Sequence, residues 1–165
     1  DVLSCRGVKM VSVSRPVPYD RIVKELNWSE QVAIVACNSC ANYCQTGGRR
    51  AMSSMRTSLI SDGFNVVSSH IVTKACILSD LRGVDLPNSV DTVLMMACVS
   101  GCRAARRLFQ GKKVLSTNVT LGIGYYDSSR KGSVLVSPYP GYQDEVGKAF
   151  PGIREDGSPA SRCDR

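Results

Sequence analysis

The sequence predicts an α/β protein built on a doubly wound, Rossmann-like, mostly parallel sheet with an irregular C-terminal tail. Three observations carry that expectation. Short β-branched apolar runs alternate with segments of helical period, the pattern of βαβ units. Two of the runs, residues 32–37 (VAIVAC) and 92–98 (TVLMMAC), are apolar throughout, as strands covered on both faces are. Asp62-Gly63 and Gly111 supply stops at the ends of two helical segments. At 165 residues the chain is one domain's worth, divided into a Rossmann-like domain over 1–137 and an extended, partner-binding tail over 138–165.

Residues 10–14 (MVSVS) form the first expected strand, and Arg15-Pro16-Val17-Pro18 the stiff turn after it. Over 19–27, Ile22, Val23 and Leu26 share one helical face. The run at 32–37 is the expected central strand. Helix follows over 50–61, where Met52, Met55, Leu59 and Ile60 make a core-facing stripe. Residues 64–72 read as the next strand, 77–81 as a short helix and 92–98 as a second buried strand. A helix over 100–110 and a strand over 112–116 complete the alternation. Beyond Asn118 the pattern loosens. Val134-Leu135-Val136 is expected as a last strand, and residues 139–165 are rich in Pro and Gly with little periodicity.

Composition narrows the class. With 43% hydrophobic and 21% charged residues the chain is globular, which excludes a disordered polar tail or a fibrous repeat. Twenty-one Lys and Arg against 14 Asp and Glu leave a net charge of +7. The basic residues are scattered in pairs and triplets, such as Arg49-Arg50 and Arg106-Arg107, and aromatics do not interleave with them. No nucleic-acid interface is therefore expected. No apolar stretch reaches the 18 or more residues of a membrane span, and no signal-peptide pattern opens the chain, so a cytoplasmic location is expected.

The eight cysteines are the distinctive feature. They fall short of the roughly 8–10% that marks a disulfide scaffold. Cys37, Cys40 and Cys44 form a C-x2-C-x3-C run followed by Gln45-Thr46-Gly47-Gly48. That run occupies the loop where a dinucleotide-binding fold carries its phosphate loop, yet no G-x-G-x-x-G is present. Cys76 follows the strand ending near Val72, and Cys98 closes the strand from Thr92. Open α/β sheets bind ligands at the carboxyl ends of their strands, so five cysteines are expected to converge there. Three close cysteines and a distant fourth suit a [4Fe-4S] cluster; zinc usually draws two tight pairs, and only one exists here. Buried free thiols and zinc remain the alternatives. Cys102, Cys5 and Cys163 are weaker candidates. No Ser or Cys nucleophile motif, and no carboxylate pair at the strand ends, accompanies the lone His70.

Taken together, Val11 to Pro18, the C-x2-C-x3-C-x2-G-G block, Cys76, Ala97-Cys98 with Gly101, and Asn118 to Gly124 (NVTLGIG) resemble the MetV-type iron–sulfur small subunit of methylenetetrahydrofolate reductase. The resemblance covers residues 10–124. It implies a Rossmann-like domain whose [4Fe-4S] cluster exchanges electrons with a flavoprotein reductase subunit carrying FAD or FMN, and further redox subunits in one complex. That family continues into a second cysteine-rich segment, whereas here only Cys163 lies beyond Cys102. The expected ligands are Cys37, Cys40 and Cys44 from the loop, with Cys76 or Cys98 as the fourth; no catalytic residue is expected on this chain. The second reading is a zinc-stabilised module that organises a larger complex.

Overall fold

The computed structural model describes residues 9–151; Cys5, Cys163 and the rest of the expected tail beyond 151 lie outside the described residues. Eight strands and five α-helices are ordered β1 (Met10–Pro16), α1 (Tyr19–Lys24), β2 (Gln31–Cys37), α2 (Cys40–Tyr43), α3 (Gly48–Ser61), β3 (Asn65–Val72), α4 (Leu78–Arg82), β4 (Thr92–Met96), α5 (Val99–Leu108), β5 (Lys113–Ser116), β6 (Asn118–Asp127), β7 (Gly132–Pro138) and β8 (Ala149–Phe150).

These strands make two sheets, and that corrects the expectation of one doubly wound, mostly parallel sheet. β3-β2-β4-β5 form a parallel sheet; β1-β6-β7-β8 form an antiparallel one. The difference lies in apolar patterning. β2 and β4 are buried residue after residue, because helices cover both faces. On one face Ile34, Ala36, Leu94 and Met96 pack against Ile22 of α1 and Met55 and Leu59 of α3. On the other, Val35, Val93 and Met95 pack against Leu81 of α4 and Ala105 of α5. β1 instead alternates, with Val11 and Val13 turned into a third cluster with Leu121, Leu135 and Phe150. Alternation marks an antiparallel strand with one face covered.

β6 and β7, where the sequence pattern loosens, form a hairpin. Its turn is set by Asp127, whose Oδ1 accepts the Ser129 N–H at 2.9 Å and the Ser129 hydroxyl at 2.6 Å. Within the expected tail, Gln143–Glu145 make a 3-10 turn and β8 pairs with β7. Thr117 alone separates β5 from β6, and it stitches the sheets together. Its N–H donates to the Met95 carbonyl at 3.1 Å, and its carbonyl accepts the Val17 N–H at 2.9 Å. The strand order also creates a crevice. The chain leaves β2 toward β3 on one side and leaves β4 toward β5 on the other, so the carboxyl ends of β2 and β4 form a topological switch point.

Candidate functional site

The switch point is lined by thiols. Cys37 is the last residue of β2, and Cys98 is the N-cap of α5 directly after β4. Cys40 opens α2, and Cys76 stands in the connection from β3 to α4. The side chains sense one another: the Cys37 sulfur lies in the field of Cys98 and Cys40, and Cys76 in that of Cys98 and Cys40. Cys37 and Cys98 are buried, Cys40 is half-buried and Cys76 is exposed. The four thus run from the sheet edge to the surface.

Glycines hold this edge together. Gly47 is so close to the crevice that a Cβ there would lie 2.6 Å from Ala41 Cβ, 2.7 Å from the Cys37 carbonyl oxygen and 2.8 Å from that of Met96. Gly101 likewise lets α5 approach the loop that carries Cys76, since a Cβ would stand 2.8 Å from the methyls of both Ala75 and Ala97. Gly47-Gly48 therefore serves close packing rather than a phosphate cradle.

From the antiparallel sheet, Thr120 Oγ1 accepts the Val99 N–H at 2.8 Å, and the Asn118 amide donates to the Ala97 carbonyl at 3.3 Å. Neither residue was expected at the site from periodicity; only their place in the NVTLGIG segment marked them. Thr120→Val should cost about 1–2 kcal/mol by leaving the first N–H of α5 without its acceptor. A urea midpoint unchanged from the parent protein would contradict this.

Cys44, expected among the ligands, is turned the other way. It belongs to the cluster with Val11, Leu121 and Leu135. Its sulfur accepts the Ser14 N–H at 3.4 Å and donates to the Ser12 carbonyl at 3.7 Å. Cys44 is thus set against β1, and Cys40, which packs against the same cluster, lies in the field of Cys37, Cys44 and Cys76. Cys102 is a packed helix thiol that donates to the Ala97 carbonyl at 3.7 Å. Lys74 acts on Cys76, whereas Arg49 and Arg50 line a shallow groove along α3 with Ser53, Ser54, Thr57 and Ser58.

Burial is the main force on the thiols. It pushes Cys37 up, opposed by N–H donation from Ala75 and Ser39, and it pushes Cys76 up together with the field of Cys98. It also raises Cys44, against the hydrogen bond from the Ser14 N–H, and Cys102, against Ser116 and Arg106. Thiols raised in the fold stay protonated where the open chain ionises. The stability that Cys44 and Cys102 supply is thus full below the ordinary thiol value of 9.0 and lost as pH rises above it and through the raised value of the folded state. The metal-free protein should show a falling denaturant midpoint above about pH 9; a flat profile would contradict the burial argument.

Among the described residues, no three His, Cys, Asp or Glu side chains are drawn together as the ligands of a single metal ion. The thiols at the crevice come from three strand ends. Among the described residues, no helix is long and apolar enough to cross a membrane. Fold and site together define an α/β protein with a thiol-lined crevice at its switch point. Comparison with protein-family models, curated proteins and solved structures finds no match to this chain.

Proposed function

We propose that the chain is an electron-transfer subunit that holds one [4Fe-4S] cluster through Cys37, Cys40, Cys76 and Cys98. The observation that carries this reading is the meeting of thiols from three separate strand ends at the β2–β4 switch point, where Cys98 and Cys40 each act on both Cys37 and Cys76. When bound, such a cluster accepts and returns single electrons.

The chain's own residues have defined parts in that reading. Ala75 and Ser39 N–H groups donate to the Cys37 sulfur and favour its thiolate, as does the Lys74 charge for Cys76. Because burial raises Cys37, ligation must release protons, and assembly weakens in acid. Cys98 is fixed by the α5 N-terminus, whose first N–H is already committed to Thr120. Cys76, the exposed member, is the side on which a redox partner would meet the group.

The sequence resemblance alone extends this to a partner flavoprotein with FAD or FMN, in a methylenetetrahydrofolate reductase-like complex. Anaerobic purification followed by iron, acid-labile sulfide and visible absorption measurements tests the proposal. Four irons and four sulfides per chain are the expected result. A colourless protein with stoichiometric zinc and no sulfide would refute it in favour of a structural zinc module.

A further inference from the structure

β3 is an edge strand that pairs only with β2 among the described residues, and its sequence, NVVSSHIV, carries none of the Lys, Glu or Pro that usually blunt such edges. A single register step leaves Val67 as a bulge, since Val66 pairs with Val32 and Ser68 with Ala33; from Ser68 onward the register is regular. Three consecutive residues there, Ser68, Ser69 and His70, each hold a buried polar atom without a hydrogen-bond partner: the two hydroxyls and His70 Nε2. Such orphans are rare and costly, roughly 1–3 kcal/mol each. Three on one free edge call for a common explanation.

We propose that β3 pairs antiparallel with β3 of a second copy of this chain, about a two-fold axis at Ser69. The backbone direction fits. The Val72 carbonyl accepts the Asn38 N–H at 2.8 Å and so faces β2. Strand alternation then turns the backbone groups of Ser68 and His70 toward β2 as well, and those of Ser69 and Ile71 outward. Ser69 and its symmetry mate form a hydrogen-bonded pair that exchanges two N–H···O bonds. Ile71 faces Val67, which is 37% exposed in the single chain.

The orphaned side chains fit the same register. Ser68 comes opposite the partner subunit's His70 in a non-hydrogen-bonded pair, the kind in which Cα atoms approach to about 4.5 Å. With rotamer turns that carry Ser68 Oγ and the partner subunit's His70 Nε2 toward the edge, the Ser68 hydroxyl donates to that Nε2, and symmetry repeats the bond. The Ser69 hydroxyls meet each other on the opposite face. One axis therefore supplies partners for all three unsatisfied groups, which a shift of one residue would not. The two parallel sheets become one continuous eight-stranded sheet, four strands from each copy.

The test is the sedimenting mass of the full chain over a range of concentrations. Wild type should sediment at twice the chain mass. Ser69→Pro removes an N–H that points away from β2, and Val67→Lys sets charge on the edge; each should halve the sedimenting mass while leaving the circular dichroism spectrum unchanged. Wild type that stays monomeric overturns the proposal, as does a folded Val67→Lys that stays dimeric. Should Ser69→Pro fail to fold, Val67→Lys decides alone. Iron content plays no part in this readout, so it stands or falls separately from the cluster assignment.

Discussion

Cys98→Ser is expected to abolish iron and sulfide binding, and Cys44→Ser to leave both near the parent level. On spacing Cys44 was an expected ligand and Cys98 one of two candidates for the fourth place. Geometry separates them, because Cys98 lies at the end of β4 in the field that couples Cys37 and Cys76, while Cys44 is hydrogen-bonded to β1 and packed beneath Leu121 and Leu135. A serine at position 44 keeps polar partners on Ser14 and Ser12, so its stability cost is about 1 kcal/mol. At position 98 it removes one of four thiolates from a group that needs four. Anaerobic reconstitution, with iron and acid-labile sulfide assays on folded protein, gives the answer. Equal iron in the two variants would remove the basis for choosing the four-cysteine set.

Gly47→Ala should destabilise the protein by about 3 kcal/mol or more. The reason is steric rather than conformational. Gly47 has extended backbone (φ −147°) that any residue adopts, yet its Cβ would collide with the Cys37 and Met96 carbonyls and with Ala41, all stiff neighbours at the ends of the two central strands. Relief requires moving α2 and the thiol loop off the sheet, so cluster binding should fall with stability. Gly111→Ala is the matching control. Its φ of +83° opposes a side chain but nothing lies within 4 Å of the new Cβ, and the cost should stay near 1 kcal/mol. Denaturant midpoints that rank the two in the reverse order would show that close packing at the crevice is not what position 47 requires.

Much of the fold was legible in the sequence because its central part is written in local patterns. Continuous apolar runs marked β2 and β4, the 3.6-residue stripe marked α3, and the Asp62-Gly63 stop marked its end. The antiparallel sheet was not legible for two reasons. β1 carries a single alternating apolar pair, Val11 and Val13, too little to tell an antiparallel strand from the edge of a parallel sheet. β6 is interrupted by Gly122 and Gly124, which admit the β7 backbone at close range and blur the period of two. The thiol site was legible as a place, since strand ends in an alternating α/β pattern share an edge. Its membership was not, because the partners that hold Cys44, Ser12 and Ser14 of β1, lie 30 or more positions earlier in the chain.

By itself, then, the sequence determined the secondary elements of the parallel half, the strand ends at which Cys37, Cys76 and Cys98 stand, and the absence of a dinucleotide fingerprint. Each follows from contacts between residues near in the chain or from the fixed polarity of a βα unit. Only the tertiary structure decided that β1 pairs with β6 rather than joining the parallel sheet, that Thr117 carries the chain between the sheets, and that Cys44 belongs to the core beneath β1. Those outcomes depend on which buried face a strand or thiol finds far along the chain, as Cys44 finds Ser14 at a separation of 30 and Ser12 at 32. Local periodicity holds no term for that choice; burial of apolar area and satisfaction of backbone hydrogen bonds make it.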